Sequence, residues 1–425
     1  MKVLVTGATG FLGSCVTQAL LASGHSVRAL VRRPDRPGAL ARRDVEIAPG
    51  DVVAPDTVAA AVSGVDAIVH CAGLTSWRIR DRAPLFRVNV DGTRNVLRAA
   101  AAQGIRVLHT SSIASIGPTR EPRELDEESP ATALDFDCPY TESKRASEQL
   151  AQTFAARGAD VVVLSPGVLL GPGDVHYTST AFVRHYLRGE LRHYLEGGSS
   201  FCDVRDVARA YVAALHSGRR GERYLLAGAN RTHAAIREDL RRLTGLHRCA
   251  RLPAPVAEWA AYWSEATAFF VPHPFEDLNV ALIRWGSRFA YCSSAKAERE
   301  LGFRPRSLSQ SLADTVADHL VRCRSEQFYR YPQSAVAMQR QCLERSRIGQ
   351  RIRQGIQPVV VQKELLELGE LAHRLRQSFK LVACDIEMLQ PRQLAQRLGK
   401  RRNAVLKKVQ RLKIVQLSDG LRELE

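Results

Sequence analysis

Long hydrophobic runs are absent from this sequence. The most apolar stretch, residues 256–272, is interrupted by Glu258 and Glu265, whereas a membrane-spanning helix needs about 20 predominantly apolar residues in a row. A charged and then apolar leader is also absent, because the chain opens directly on the strand-like segment 2–6. We therefore expect no transmembrane segment and no signal peptide.

Closely paired cysteines are absent as well. The chain has nine cysteines, an odd number, and no two of them have the C-x-x-C spacing. A disulfide framework favours an even number of cysteines, and a zinc site favours closely spaced pairs. The sequence therefore predicts no disulfide framework, no metal site and a cytoplasmic location.

The composition is not extreme, but its positive charge is uneven. The 425 residues are 45% hydrophobic and 25% charged, which excludes a chain-wide disordered or fibrous protein and leaves room for two or three domains. Residues 324–425 carry 21 basic and 10 acidic side chains, a large share of the net charge of +17. A tail that binds a polyanion and a solvated basic face would both produce this asymmetry.

Short apolar runs alternate with helical patterns through the first half of the chain. The predicted strands are 3–6, 26–31, 45–48, 67–70, 107–110 and 161–165. The predicted helices are 11–23, 55–63, 83–102 and 140–157. Such alternation predicts an α/β fold, a doubly wound parallel sheet covered on both faces. From about residue 167 the pattern becomes irregular, with helices at 204–216, 233–244 and 254–270, and predicts a smaller lobe over the strand ends.

A glycine-rich turn joins the first predicted strand to the first helix. Gly7, Gly10 and Gly13 form a G-x-x-G-x-x-G pattern. In a Rossmann sheet the first glycine allows a tight turn, the second lets the backbone approach a pyrophosphate, and the third lets helix pack on strand. The N–H groups at the helix start then bind phosphate. This arrangement predicts a dinucleotide site.

Residues at the ends of the next strands indicate which dinucleotide binds. The second strand ends in Arg32 and Arg33, where an NAD site usually has a carboxylate for the ribose 2′-hydroxyl. A guanidinium at Arg32 would pair with a 2′-phosphate, so NADP is favoured over NAD. Asp51, after the third strand, is placed to accept from the adenine amino group. The segment 70–73, after the fourth strand, is placed beneath a cofactor ribose, with His70 expected to be a packed core residue.

A tyrosine and a lysine begin the helix at 140–157. The i, i+4 spacing puts Tyr140 and Lys144 on one helix face. A phenol has an ordinary pKa near 10, and a neighbouring ammonium favours the phenolate. We expect Tyr140 to exchange a proton with a carbonyl or alcohol oxygen as hydride moves to or from a nicotinamide. Lys144 would also bind the nicotinamide ribose.

Hydroxyl groups follow the fifth strand, at the edge where parallel sheets bind ligands. A hydroxyl of Ser111 or Ser112 would donate to the substrate oxygen and stabilise its developing charge. A Tyr-x-x-x-Lys pair alone is common by chance. The order of glycine turn, strand-end serines and Tyr-x-x-x-Lys is far more specific.

With these motifs, residues 1–320 resemble the extended short-chain dehydrogenase/reductase family, also described as NAD-dependent epimerases/dehydratases. Further segments that carry the resemblance are VNVDGTRNVL (88–97), SPGV (165–168), GPGD (171–174) and DVRDVA (203–208). The resemblance implies Ser112, Tyr140 and Lys144 as the catalytic triad and gives Asn89 either a proton-relay role or a structural hydrogen bond. It implies these cofactor contacts: Gly7, Thr9, Gly10, Phe11, Leu12, Gly13, Arg32, Asp51, Val52, Ala72, Gly73, Tyr140, Lys144, Pro166 and Val168.

Two departures from the family pattern narrow the range of reactions that we expect of this chain. Related dehydratases carry an Asp-Glu pair where this chain has Ile113 and Ala114, and sugar-nucleotide enzymes usually carry an arginine where it has Ser199. The segment 289–303 is similar to the dihydroflavonol-reductase-like group, which also contains hopanoid-associated sugar epimerases. The resemblance implies an NADP-dependent reductase or dehydrogenase that acts on a carbonyl or secondary alcohol of a fairly apolar small molecule. An NAD-dependent sugar epimerase is the alternative.

Aromatic residues recur at helical spacing in the predicted smaller lobe. They are Trp259, Tyr262, Trp263, Phe269 and Phe270. Such a stripe would line an apolar pocket, touch a membrane surface or form the core of the lobe. The core is the preferred interpretation.

The last hundred residues lie outside the family resemblance. We expect domain 1–323, with its substrate lobe mainly at 167–200 and 220–300, and a basic, mostly helical extension at 324–425. Within the extension, the pattern around Ala395, Gly399 and Val405 resembles a helix-turn-helix at 391–412. The extension would bind nucleic acid, pack on the enzyme or mediate a homodimer. A dinucleotide-sensing DNA regulator is therefore the alternative from another functional class.

Overall fold

A computed structural model describes residues 1–35, 40, 44–267 and 279–325. The predicted basic extension, with its helix-turn-helix at 391–412, lies outside these residues apart from the first two positions, and so do Phe269 and Phe270. No helix within the described ranges is long and apolar enough to cross a membrane.

The described chain alternates strands and helices. Its strands are β1 (Lys2–Thr6), β2 (Ser26–Val31), β3 (Glu46–Pro49), β4 (Ala67–His70), β5 (Arg106–Thr110), β6 (Glu124–Leu125), β7 (Val161–Pro166), β8 (Val168–Leu170), β9 (His193–Tyr194), β10 (Gly198–Asp203), β11 (Arg223–Leu226), β12 (Ala229–Thr232), β13 (Ala250–Arg251) and β14 (Phe289–Cys292). Its α-helices are α1 (Phe11–Ala22), α2 (Pro55–Val62), α3 (Arg82–Phe86), α4 (Gly92–Gln103), α5 (Pro139–Ala156), α6 (Ala181–Leu187), α7 (Val204–Ser217), α8 (His233–Thr244), α9 (Ala254–Thr267), α10 (Val280–Gly286), α11 (Ala295–Leu301) and α12 (Leu308–Ser325).

The main sheet has seven strands in the order β11-β7-β5-β4-β1-β2-β3. Every neighbouring pair in it is parallel. The strand order reverses between β1 and β4, which opens a crevice at their carboxyl ends, where doubly wound sheets bind ligands. The predicted α/β, Rossmann-type fold is confirmed.

Alternate side chains of β1 point to opposite faces of the sheet and enter two separate cores. Val3 and Val5 pack with Val16 and Leu20 of α1 on one face. Leu4 packs on the other face with the residues that α2, α4 and α5 contribute. This double coverage explains why the strands read as continuous apolar runs in the sequence.

A second, mixed sheet forms the smaller lobe. Its strands run in the order β12-β10-β14-β6, and β8 pairs with β10. Helices α6, α8 and α12 contribute to the apolar cluster that covers it. The six predicted strands of the main sheet are confirmed to within one residue at each end, whereas β11 and the second sheet were not predicted.

Candidate active site

The glycine turn lies at the β1 side of the crevice. Gly7 has φ +70°, and a Cβ placed on it would lie 2.6 Å from the backbone nitrogen of Ala72. A Cβ on Gly13 would overlap the carbonyl oxygen of Gly7. Two of the three glycines are therefore required by the packing of the turn against the segment after β4 and of α1 against the turn.

Helix α1 begins at Phe11, directly after the turn. Gly10 occupies its N-cap position, and no side-chain hydrogen bond caps it. Thr9 and Gly10 end the turn, while Phe11, Leu12 and Gly13 form the first helical turn, whose backbone N–H groups are free of intrahelical partners. The geometry suits a pyrophosphate, the group for which these residues were predicted.

Strands β2 and β3 are followed by the residues predicted to contact the adenosine half of the cofactor. Arg32 follows β2 and is exposed to solvent. Asp51 and Val52 follow β3, where the Asp51 carboxylate accepts a hydrogen bond from the backbone nitrogen of Val53 at 3.2 Å. The Val52 carbonyl accepts from Asn95 of α4 at 3.0 Å. These residues share the carboxyl edge with the glycine turn.

The segment after β4 passes close to two predicted catalytic residues. A Cβ on Gly73 would lie 3.3 Å from Asn89 Oδ1 and 3.5 Å from Lys144 Nζ. Ala72, immediately before it, abuts Gly7. On the far side of β5, β7 ends at Pro166 and is followed by Val168 in β8. The structure thus brings every predicted cofactor residue to one edge of the sheet.

Tyr140 lies in the first turn of α5, below the segment after β4. Burial raises the pKa of Tyr140, and the nearby side chains of Ser112 and Thr75 oppose the rise. The sequence had predicted that Lys144 lowers this pKa, and that expectation is wrong for this structure, since burial dominates. A partly buried phenol with a raised pKa is protonated at neutral pH and able to donate.

Lys144, one turn further along α5, reaches the end of β5. Its ammonium donates to the carbonyl oxygen of Thr110 at 3.1 Å. The side chain is 8% exposed, and burial lowers the pKa of Lys144 to about 8. Lys144 is therefore a desolvated cation held at the predicted ribose position.

The two candidate serines have different environments. Ser111 and Ser115 both donate to the buried carboxylate of Glu148. The Ser112 hydroxyl accepts from the backbone nitrogen of Ala114 at 3.1 Å and is the serine that opposes the rise in the Tyr140 pKa. Ser112 is therefore the serine beside Tyr140, and its role as the substrate-facing hydroxyl stays a prediction.

Asn89 lies in a π-helical turn, Arg87–Asp91, between α3 and α4. Its amide oxygen accepts from the backbone nitrogen of Leu74 at 2.7 Å, and its amide nitrogen donates to the Leu74 carbonyl at 3.0 Å and to Ser143 at 2.9 Å. Ser143 in turn donates to the carbonyl of Tyr140 at 2.8 Å. The side chain thus clamps the segment after β4 to α5, and a proton-relay role remains a prediction.

His70 is a buried core residue, as expected, but it belongs to a hydrogen-bond chain. Thr93 donates to the Asn89 carbonyl at 2.6 Å, so it accepts from His70 Nε2 at 3.0 Å. The other ring nitrogen then accepts from Thr6 at 2.7 Å. Burial lowers the pKa of His70 to about 3, so the ring is neutral. The chain ties the end of β1 to the π turn.

Aromatic residues that the sequence analysis did not single out stand beside Tyr140. The Trp77 ring centroid lies 5.5 Å from that of Tyr140 and 5.2 Å from that of Trp285 in α10. Thr75, two residues before Trp77, is the second side chain that opposes the rise in the Tyr140 pKa. No spacing rule links residues 77, 140 and 285, because the contact is purely tertiary. Together they form an apolar wall next to the phenol.

The predicted aromatic stripe of α9 is not part of the core. Trp259, Tyr262 and Trp263 are among the exposed large hydrophobic side chains. The inward face of α9 is instead formed by the small residues Ala257 and Ala261. The preferred interpretation as lobe core is therefore wrong, since helical spacing alone does not show which face of a helix is buried.

Comparison with known proteins gives the family. The chain matches the model of the NAD dependent epimerase/dehydratase family over residues 3–227. It is 33% identical to a Synechocystis sp. protein provisionally named dihydroflavonol 4-reductase, with 73% of this chain and 92% of the relative covered. It is 34% identical to sterol demethylase protein B of Methylococcus capsulatus, with 75% and 98% covered.

A solved structure supports the same placement. MoeE5 in complex with UDP-glucose and NAD is 26% identical to the chain, with a TM-score of 0.59, and the match covers 76% of this chain and 99% of MoeE5. The fold, the matched motifs and the relatives agree. The chain belongs to the NAD dependent epimerase/dehydratase family, as an NAD(P)-dependent oxidoreductase of the extended short-chain dehydrogenase/reductase type.

Proposed function

We propose that this enzyme is an NADP-dependent reductase or dehydrogenase that acts on a carbonyl or secondary alcohol of a small, fairly apolar molecule, with Tyr140 as acid and base. The observation that carries the proposal is that the Ser112 side chain, just after β5, lies close enough to the Tyr140 phenol to oppose the rise in its pKa. Two hydroxyl donors that converge there are suited to one substrate oxygen.

The residues around the crevice suit a nicotinamide dinucleotide. Gly7 and Gly13 have no room for a Cβ, and Gly10 leaves the start of α1 without a side-chain cap. When bound, the cofactor supplies or accepts the hydride. In reduction, Tyr140 donates its proton to the substrate oxygen, Ser112 donates a second hydrogen bond, and Lys144 binds the ribose hydroxyls.

The preference for NADP rests on Arg32. Its exposed guanidinium follows β2 at the position where NAD enzymes hold the ribose through a carboxylate. We expect Arg32→Ala to raise the KM for NADPH about tenfold or more while changing the KM for NADH little. Arg33→Ala is the matched control, because Arg33 is an equally exposed neighbour. An unchanged NADPH KM in Arg32→Ala would count against NADP specificity.

The apolar substrate class rests on the wall of Trp77 and Trp285 beside Tyr140. Flat ring systems stack favourably on such side chains. The direct test is a screen of flavonoid-like, steroid-like and sugar carbonyls with NADPH and with NADH. Turnover confined to sugar carbonyls would overturn the proposed class.

A sugar epimerase is the second candidate within the same family. The likeness to MoeE5, whose complex contains UDP-glucose and NAD, favours it, whereas Ser199 in place of an arginine weakens it. An epimerase regenerates its cofactor in each cycle. Purified protein that retains tightly bound NAD and shows no net NADPH consumption would support the epimerase.

The basic extension at 324–425 motivates a further candidate function, a dinucleotide-sensing regulator that binds DNA. Its 21 basic side chains and the pattern at 391–412 favour this. The test compares duplex binding of the full chain with that of a chain ending at residue 329, at two salt concentrations. Equal binding by both chains would exclude the extension as the DNA site.

We also propose a cytoplasmic location and a homodimer. The location rests on the nine cysteines without paired spacing. The homodimer rests on the family resemblance, and sedimentation of the full and truncated chains would show whether the extension contributes to it.

A further inference from the structure

Helix α9 presents large aromatic side chains to solvent. Trp259 is 65% exposed and Trp263 is 57% exposed, and Val256 and Tyr262 beside them are more than half exposed. Their positions, i, i+3, i+6 and i+7, place all four on one side of the helix. We call these four residues the aromatic face. Contiguous exposed apolar surface of this kind marks an interaction site.

The opposite side of α9 is unusual for a soluble helix. Its buried positions are the small residues Ala257 and Ala261, which pack against Val280 and Ile283, together with Ser264. A helix stabilised by its own packing normally buries its large apolar side chains and exposes small or polar ones. The reversed pattern indicates that the large side chains interact with a surface outside this part of the fold.

Charges are absent from the aromatic face. The two acidic residues of α9 lie on its flank, where Glu258 accepts from Arg284 at 3.1 Å and Glu265 accepts from the backbone nitrogen of Val280 at 3.0 Å. Arg284 also donates to the Tyr262 hydroxyl at 3.1 Å. The face therefore carries no uncompensated negative charge.

We propose that the aromatic face docks onto the surface of an anionic lipid bilayer. Tryptophan and tyrosine rings favour the boundary between headgroups and acyl chains, because each has an apolar body and a polar atom. Exposed Arg248 lies just before α9, while Arg251 beside it is ion-paired with Glu196. The net charge of +17 attracts the chain to an anionic leaflet. This charge favours a lipid surface over a second copy of the same basic chain.

Docking would bring the active site close to the membrane. Helix α9 packs on α10, and α10 carries Trp285, whose ring contacts Trp77 beside Tyr140. An apolar substrate dissolved in the bilayer would then have a short route to the phenol. The docking itself requires neither cofactor nor turnover, so it is tested independently of the proposed reaction.

The experiment measures binding of the full chain to vesicles of phosphatidylcholine alone and of phosphatidylcholine mixed with phosphatidylglycerol. We expect the mixed vesicles to bind the wild-type chain and brominated lipid to quench its tryptophan fluorescence. The double variant Trp259→Gln/Trp263→Gln should lose about tenfold in partition coefficient for each tryptophan removed, together with the quenching. Val321→Gln is the matched control, since Val321 is an exposed apolar residue on α12, and it should bind as the wild type does.

Three results would overturn the proposal. The first is a wild-type chain that binds neither kind of vesicle and shows no quenching of its fluorescence by brominated lipid. The second is a double variant that binds mixed vesicles as well as the wild type. The third is a double variant that only converts a dimer to a monomer in sedimentation, which would assign the aromatic face to a second copy of the chain. An equal thermal unfolding midpoint for the double variant and the wild type shows that loss of binding does not reflect loss of fold.

Discussion

Lys144 carries a buried charge that lowers folding stability at a position where the proposed mechanism needs a cation. Its ammonium is nearly closed off from water and makes a hydrogen bond to the Thr110 carbonyl, and burial lowers the pKa of Lys144 from 10.5 to about 8. A charge held in such a place costs folding free energy, since the unfolded chain solvates it fully. We propose that the charge is kept because a cation at this position binds the cofactor ribose.

We therefore expect Lys144→Met to raise the free energy of unfolding at pH 7 by about 2 kcal/mol in the cofactor-free protein, while turnover is lost. Between pH 8 and 10.5 the unfolded wild-type chain binds more protons at this lysine than the folded one, so wild-type stability should rise with pH there relative to the variant. Denaturant unfolding across this range measures both effects.

The control is Lys2→Met, which removes an ammonium paired with Glu46 near the surface and should bring no gain in stability. A Lys144→Met protein less stable than the wild type at pH 7 would contradict this account of the buried charge.

At the scale of elements, the turn between β1 and α1 positions the crevice. Gly7 has φ +70° and backbone atoms of Ala72 where a Cβ would stand, while Gly24 has φ +80° and nothing within 4 Å of that position. The two glycines share the strained backbone conformation but differ in available space. Substituting each glycine therefore separates the cost of the backbone conformation from the cost of the steric overlap.

We expect Gly24→Ala to cost about 1 kcal/mol, the price of a left-handed conformation for a residue with a Cβ. Gly7→Ala should cost about 3 kcal/mol or more and abolish cofactor binding, because it must also displace the segment after β4. Thermal unfolding and NADPH titration of both variants check this. Equal costs for the two would show that the turn has room to adjust.

Elements with continuous apolar character could be predicted from the sequence, and elements defined by tertiary contacts could not. The β2 and β4 runs matched the structure at both ends, because burial on both faces gives an unambiguous signal. The amphipathic α8 also matched, because its buried Ile236 and Leu240 recur at i, i+4 spacing. The short β11 was missed since Arg223 and Tyr224 dilute its apolar run. The α9 stripe was misinterpreted because Ala257 and Ala261, not the tryptophans, select the buried face.

For the candidate site, the glycine turn and the Tyr140, Lys144 pair were predictable because their spacing is local. Trp77 and Thr75 were not, since they reach Tyr140 only through the path of the segment after β4. The direction of the Tyr140 pKa was also not predictable. It depends on burial, which no local pattern reports.

At the scale of the whole molecule, a buried ionic network ties the start of α7 to α12. Arg205 pairs at 2.7 Å with both Asp203 and Asp314, whose side chains are 1% and 0% exposed. Burial raises the pKa of Asp203, but the hydrogen bond and charge of Arg205 outweigh it, so that the pKa lies below its ordinary value. The DVRDVA motif is thus structural here.

We expect Arg205→Met to cost about 3–5 kcal/mol at pH 7, because it removes the ion-pair partner of buried Asp314 and leaves Asp203 only the more distant Arg306, at 3.5 Å. Arg209→Met is the control, with a 61% exposed side chain whose partner Asp206 keeps Arg306, and it should cost under about 1 kcal/mol. Since the folded pKa of Asp203 is lowered, the contribution of Arg205 is present above about pH 4 and is lost as the pH falls through the folded value. Unfolding at pH 7 and pH 3 compares the variants, and a cost that does not shrink at pH 3 would contradict the network.

The central claim is that Tyr140 transfers the proton that accompanies hydride transfer. The most direct measurement is the single-turnover rate of NADPH oxidation by Tyr140→Phe with a carbonyl substrate found in the screen, beside its dissociation constant for NADPH. We predict a rate about 100- to 10,000-fold below the wild type with cofactor affinity nearly unchanged. A Tyr140→Phe enzyme that binds NADPH normally and oxidises it at the wild-type rate would contradict the account.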